Sequence, residues 1–284
     1  MEPFSLSRLK EILNQHQIQE YGICSFEPSW GFLPCRQLER IPPEAKSVIV
    51  CAFPYYVPCN EPSNLCAYAR VPDYHTVVGD LLKETSHHLS QLFGARFEGF
   101  TDVSPLPEAK YALAAGLGFK GKNGLVIHPR FGTYFVIGEL VTDLQLPPSR
   151  PLEQSCLGCG KCLEQCPSGA LSPQGLNAEK CLSAVTQRKG ELTPREQELI
   201  RQNGLAWGCD RCQQCCPHNQ TAETTYLTGF SQSVEPVVTL ENLSSLRKTR
   251  AFGYRGKAVM VRNLSLLESQ TELDDFSTSF GENC

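Results

Sequence analysis

Cys156-Leu-Gly-Cys159-Gly-Lys-Cys162-Leu-Glu-Gln-Cys166-Pro167 is the stretch on which the reading of this chain turns. Its C-x2-C-x2-C-x3-C-P spacing is that of cubane iron–sulfur ligation. Three thiolates two residues apart converge on one 4Fe–4S cube, and the fourth is carried off on a short helix toward a second. Downstream come Cys181 and then Cys209-Asp-Arg-Cys212-Gln-Gln-Cys215-Cys216-Pro217. Cys216 precedes a proline as Cys166 does, and exchanging these two interlocks the halves. One cluster is then expected on Cys156, Cys159, Cys162 and Cys216, the other on Cys166, Cys181, Cys209 and Cys212, with Cys215 left over. Structural zinc also uses paired C-x-x-C motifs. A zinc ribbon, however, needs neither a third cysteine at the same spacing nor a proline after the last cysteine of both halves. Disulfide frameworks belong to small secreted domains.

The composition suits that reading. A chain of 284 residues, 41% hydrophobic and 20% charged, can bury the core of one large domain and a smaller one. No apolar run approaches the ~20 residues of a membrane span. The start, Met1-Glu-Pro-Phe-Ser5, lacks a basic segment followed by an apolar one, so no secretion signal is expected. Fifteen cysteines without such a signal imply a reducing cytoplasm in which thiolates serve metal, with no membrane partner. Cys24, Cys35, Cys51, Cys59 and Cys66 have no ligand spacing and read as inert thiols. The net charge of −4 argues against a nucleic-acid partner in sum but not locally. Arg247, Lys248, Arg250, Arg255, Lys257 and Arg262 fall in one run without a carboxylate, a solvated helix face or a phosphate-binding patch. An acidic tail runs from Glu268 to Glu282.

Periodicity places the elements. Leu6, Leu9, Ile12 and Leu13 share a helix face capped by Ser5 or Ser7, and Tyr21 to Phe26 reads as a strand. Val48 to Phe53 is an apolar run of strand length, buried on both faces. A Pro- and Asn-rich loop over 54–64 follows, and Val78, Leu81, Leu82, Thr85, Leu89 and Leu92 step round a helix of about five turns. Strands at Ala95 to Gly99, Leu125 to Ile127 and Tyr134 to Val141 alternate with a helix over Glu108 to Ala115. The expected fold is an α+β or α/β sandwich over residues 1–148, then a ferredoxin-like double-cluster domain over 149–222 and a short helical region over 223–284. Pro147, Pro148 and Pro151 mark the first boundary.

Two stretches outside the cysteines can carry chemistry. Thr101-Asp102-Val-Ser-Pro105 ends a strand before a helix, where an aspartate is either an N-cap or a general acid at the sheet edge. Gly118-Phe-Lys-Gly121-Lys122-Asn123-Gly124 is either a turn or a basic loop gripping a polar cofactor edge. It is not a dinucleotide fingerprint, because it follows a helix and breaks the final spacing. Asp73-Tyr-His75 with Gly79 approximates a cobalt-binding histidine element, but its glycine is one residue late and it falls at a helix start.

In order, Tyr68-Ala-Arg70-Val-Pro-Asp73-Tyr74-His75, Asp102-Val-Ser-Pro-Leu-Pro-Glu108, Ala115-Gly-Leu-Gly-Phe-Lys-Gly-Lys122-Asn123, Gly132-Thr-Tyr-Phe-Val-Ile-Gly-Glu139, Lys180-Cys181-Leu-Ser183 and Trp207-Gly-Cys209-Asp-Arg-Cys212 resemble the epoxyqueuosine reductase family across roughly residues 20 to 220. The resemblance implies a cobalamin-dependent enzyme that reduces the epoxide of epoxyqueuosine to the alkene of queuosine in tRNA. It implies Asp102 as proton donor, Lys122, Asn123 and Ser183 as cobalamin contacts, and two 4Fe–4S clusters relaying electrons from a donor such as flavodoxin or ferredoxin. Arg70, Arg255 and Lys257 are the expected contacts to a tRNA anticodon stem-loop. Members of the family carry a larger helical-repeat region after the clusters, where this chain has about sixty residues, and Phe119 stands where an indole is common. The alternatives are a related corrinoid reductase of small molecules, such as a reductive dehalogenase, and a plain electron-transfer protein.

Overall fold

The computed structural model describes residues 4–279, with side chains through Glu268; the rest of the acidic tail lies outside the described side chains. The chain forms two compact units that interleave in sequence. The first takes the chain up to Tyr56, then Tyr74–Gly158 and Pro217–Gln232; the second takes Val57–Asp73, Cys159–Cys216 and the chain from Ser233 onward.

The first unit opens with helix α1 (Leu6–Gln15), whose N-cap Ser5 accepts a hydrogen bond from the Arg8 amide, and whose Leu9, Ile12 and Leu13 are fully buried. Strands β1 (Glu20–Ser25) and β2 (Ser47–Pro54), helix α2 (Tyr74–Phe93), strand β3 (Phe97–Thr101), helix α3 (Glu108–Ala114) and strand β4 (Phe135–Thr142) follow. The sheet runs β1-β2-β4-β3 and is antiparallel throughout. The expected alternation of strands and helices is present, but no parallel pair forms, so the unit is α+β.

All eight residues of β2 are buried, as its apolar run demands. Val48, Val50 and Ala52 join Phe100, Tyr111, Ala112 and Ala115 in a core beneath α3. Successive side chains of a strand point to opposite faces, so Phe53 lies on the other face, where its ring and Leu82 of α2 close over Gly138. Each such Val, Leu or Phe contributes roughly 1.5–3 kcal/mol by leaving water. Gly22 is required by contact rather than by turn chemistry: a Cβ there would meet the Ala115 carbonyl oxygen at 1.9 Å, so β1 packs directly on the end of α3.

The second unit has two small cores. Leu65, Ala69, Ala206, Trp207, Leu243, Phe252, Val259, Met260 and Leu264 form one. Leu182 and Val185 of helix α4 (Leu182–Gln187), Leu192, and Ile200 of helix α5 (Pro194–Asn203) form the other. Helix α6 (Lys257–Ser279) is tied to both by Asn263, which is fully buried and donates to the Thr186 oxygen at 2.7 Å and the Ala206 oxygen at 2.8 Å. None of the described helices is long and apolar enough to cross a membrane. Asn263→Ala leaves two buried carbonyls without a donor and is expected to lower unfolding free energy by about 2–3 kcal/mol, read as a shift in urea midpoint at unchanged slope.

Candidate active site and cluster ligands

The segment between β3 and α3 carries Asp102. Its backbone stands at φ 56, the left-handed region that aspartate tolerates better than most residues. Asp102 is not a helix cap, because Pro107 occupies that position and no side chain caps α3. Its half-exposed carboxylate accepts instead from His75 Nε2 at 3.0 Å and from the Tyr74 hydroxyl. Those two rings begin α2 and stack on each other at 4.2 Å. The His75 hydrogen bond, opposed by burial and reinforced by the His75 charge and Tyr74, holds Asp102 below the usual carboxylate range. Asp102 is therefore ionised at neutral pH.

Two further carboxyl groups stand behind it. Glu108, half-buried in the first turn of α3, accepts from the Asp102 amide at 3.0 Å. Glu139 of β4 is fully buried. The Ser104 hydroxyl donates a short hydrogen bond to its Oε2 and accepts from the Leu106 amide, while Oε1 has no hydrogen-bond partner. Burial pushes Glu139 up to about 7 against the Ser104 bond. Burial, then the charges of Glu139 and Asp102, push Glu108 up to about 9 against the Asp102 amide. The three acids differ in protonation because their surroundings differ. One cleft of about 620 Å³ is lined by His75, Thr101 and Val103 with Arg40, Lys83 and His87. Another of about 560 Å³ is lined by Glu108 with Lys110, Lys120 and Gly124.

The glycine-rich loop turns between the short strands Phe119–Lys120 and Val126–Ile127. Asn123 is buried and its Oδ1 accepts from the Leu125 amide at 3.2 Å, so its carboxamide shapes the turn. Lys122 reaches the Gly158 carbonyl at 3.1 Å from an exposed position. Gly124, at φ 84, has open space where a side chain would project. A loop with exposed lysines and open backbone fits the polar edge of a large cofactor. In the second unit Ser183, on α4, accepts from Gln187 Nε2 at 3.3 Å.

Several cysteines of the second unit lie near one another. Cys209 and Cys212 each lie close enough to Cys181 and Cys166 to feel their charge. Burial first, then that crowding, pushes the two thiols up to about 11 and about 12. Thiols crowded in this way hold their protons unless a bound cation takes them as thiolates. Burial also raises Cys166, but amides of Leu171, Ser168 and Ala170 and the Ser168 hydroxyl outweigh it and hold that thiol low. Cys215 lies near enough to Cys162, Cys216 and Cys159 to feel their charge.

The basic run is not a single face. Arg250 is 3% exposed and donates to the Ser233 hydroxyl at 2.8 Å. Arg262 donates to the Arg188 and Gly190 carbonyls at 2.7 and 2.6 Å. Burial lowers both guanidinium pKa values. Arg247, Lys248 and Lys257 stay exposed, and Arg255 lies 4.8 Å over the ring of exposed Tyr254. Arg70 ends a single-turn helix near Asp210, whose carboxyl burial raises above its usual range against the Ala67 amide and the Arg70 charge. Tyr74, His75, Glu108 and Glu139 are the site residues to which sequence reasoning assigned no role. The available signal for Glu139 is a carboxylate within the otherwise apolar Phe135–Thr142 strand.

Family models describe the same two regions. Residues 36–103 match the model for epoxyqueuosine reductase QueG, and residues 155–219 match the 4Fe-4S double cluster binding domain. The epoxyqueuosine reductase of Bacillus cereus is 31% identical over 284 aligned positions, covering 91% of this chain and 72% of that protein. That of Synechocystis is 35% identical, covering 71% and 73%. Among solved structures, an epoxyqueuosine reductase with an epoxyqueuosine-modified tRNA-Tyr stem loop superposes with a TM-score of 0.77 at 25% identity, over 93% of this chain and 81% of that one. The Bacillus subtilis epoxyqueuosine reductase, captured with its catalytic aspartate loop swung out of the active site, gives 0.72 at 25% identity, over 93% and 82%. A reductive dehalogenase shares the fold alone, at 17% identity and a TM-score of 0.51 over 93% of this chain and 36% of that one. With an antiparallel sheet that ends in a carboxylate-bearing loop and a doubled cysteine motif, this chain belongs to the epoxyqueuosine reductase family.

Proposed function

We propose that this chain reduces epoxyqueuosine to queuosine in tRNA, at the Asp102 loop of the first unit. The observation that carries the reading is Asp102 itself, placed at a strand end in strained backbone and oriented by His75 and Tyr74 where a helix cap would need neither. Two 4Fe–4S clusters are held by Cys156, Cys159, Cys162 and Cys216, and by Cys166, Cys181, Cys209 and Cys212. They pass electrons singly from a low-potential carrier of the flavodoxin or ferredoxin class. Cobalamin, when bound, supplies a strong nucleophile for opening the epoxide. Lys122 and Ser183 are its contacts, and Asn123 serves by holding the loop around Lys122. The protein's own task is to deliver protons to the departing oxygen, and Asp102 is the group placed to do it.

Anaerobically prepared protein is expected to bind about eight iron atoms. Cys215→Ala should keep that content and Cys181→Ala should halve it. Zinc in place of iron, or loss of a cluster in Cys215→Ala, overturns the ligand sets.

Asp102→Asn preserves size, the accepting oxygen and tolerance of left-handed backbone. Clusters and cobalamin are expected to be retained and turnover to fall by ~10²-fold or more, the scale of general-acid catalysis. Turnover close to that of the parent protein rules Asp102 out as the donor.

Phosphate neutralisation makes tRNA affinity salt-dependent. Arg255 and Lys257 are the proposed backbone contacts, with Arg70 as a further one. Replacing Arg255 and Lys257 together by Ala should weaken stem-loop binding and flatten the plot of log affinity against log salt, at unchanged cluster content. Equal conversion of free epoxyqueuosine nucleoside and of tRNA eliminates the tRNA reading in favour of a small-molecule corrinoid reductase.

A further inference from the structure

Converting an epoxide to an alkene breaks both carbon–oxygen bonds and releases the oxygen as water. It consumes two electrons and two protons. The electrons come one at a time from the low-potential carrier through the clusters. The protons must come from side chains or solvent, and Asp102 holds one at most. It is also ionised when at rest, because His75 and Tyr74 both donate to it.

We propose that Glu108 is the stored proton of this site, handing it to Asp102 directly or through one water so that Asp102 can protonate the oxygen and be recharged within a turnover. This rests on the epoxide-reduction reading above. Geometry places the donor: the Glu108 carboxyl receives the Asp102 amide at 3.0 Å, so it lies against the loop whose side chain must be recharged. Glu108 also lines an open cleft, which gives it a route to solvent protons.

The surroundings keep Glu108 neutral. It faces Asp102 from the loop and Glu139 from β4, both acids. Lys110 on its own helix and Lys120 on the hairpin line the same cleft without offsetting the acids, and Glu108 holds its proton up to about 9. Glu139 in turn meets Ser104 by hydrogen bond and lies near Cys24, Cys51 and Tyr111, none of them a cation. Glu108 therefore carries a proton at neutral pH where Asp102 does not. That pairing of a neutral and an ionised acid is how acid and base roles are divided elsewhere.

The test uses cluster-loaded, cobalamin-reconstituted protein and its Glu108→Gln and Glu108→Asp variants. Glutamine keeps an oxygen to accept the Asp102 amide but stores no proton. For the parent protein the rate should hold through neutral pH and fall as pH rises through about 9. For Glu108→Gln, Asp102 must draw its proton from solvent, so the rate should fall roughly tenfold per pH unit across the neutral range and approach the parent rate in acid. Glu108→Asp should restore a plateau. A loss in Glu108→Gln that is equal at every pH, or an unshifted profile, overturns the proposal.

Infrared difference spectra of resting protein without substrate supply a second readout. Above about pH 7, where Glu139 has given up its proton, a protonated carboxyl band should remain in the parent protein, disappear as pH rises through about 9, and be missing in Glu108→Gln. No such band in the parent protein overturns the proposal whatever the kinetics show. The band without any turnover of epoxyqueuosine would sink the substrate reading while upholding Glu108 as the protonated acid of the site.

Discussion

Glu139 is a carboxyl group set within an apolar strand, with no cation to meet it, and the first unit is arranged around that fact. Burying an unpaired charge costs several kcal/mol, so such a group stays neutral or finds partners. Glu139 takes one strong partner, the Ser104 hydroxyl, and leaves its other oxygen bare. Because Ser104 lies two residues beyond Asp102, that single bond fixes the start of the loop to the sheet. The loop then turns sharply enough to put Asp102 in left-handed backbone, facing the first turn of α2. Backbone in a sparsely populated region persists only when its surroundings over-determine it. Here the surroundings are the Ser104 anchor on one side and the Glu108 acceptor on the other.

The second unit solves a different problem, that of gathering thiols that repel as thiolates. Small apolar cores and close backbone approaches do it. A Cβ on Gly208, at φ 74, would meet the Cys66 sulfur at 2.1 Å, so only glycine lets the chain enter Cys209 against that buried thiol. Trp207 beside it is fixed by the Tyr68 hydroxyl at 3.0 Å and by the bridge to Leu65. Asn263 holds α6 against the same backbone. The segment Val57–Asp73 thus belongs to the unit that holds most of the cysteines, although it lies far ahead of them in sequence.

That interleaving explains what could be read from the sequence and what could not. The helices over Leu6–Gln15 and Tyr74–Phe93 and the strand over Ser47–Pro54 follow from periodicity, because burial on one or both faces fixes which residues they must be. The cysteine sets are a reading of covalent spacing, and Cys209 and Cys212 lie near enough to Cys181 and Cys166 to feel their charge. Asp102 is legible as a strand-end carboxylate, and Pro107 in the cap position excludes the helix-cap reading of it. Sheet direction was not legible, since an apolar strand looks alike in parallel and antiparallel company. His75 and Glu108 were hidden because their roles rest on contacts across 27 and six residues that no local pattern encodes.

The basic residues near α6 show the same limit from the opposite side. Counted along the sequence, Arg250 and Arg262 belong to a cationic stripe, yet each is turned inward to acceptors of the fold. A buried guanidinium that serves backbone carbonyls and a serine is a structural clamp, since its planar fork loses little entropy in fixing several acceptors at once. What stays outward is Arg247, Lys248 and Lys257, with Arg255 drawn over an exposed aromatic ring. If these four cations are the phosphate footprint proposed above, they release few counterions, and phosphate contacts alone give modest affinity. Selectivity for one modified nucleotide must then come from the pocket that receives it, where desolvated hydrogen bonds discriminate by far more than surface charge can.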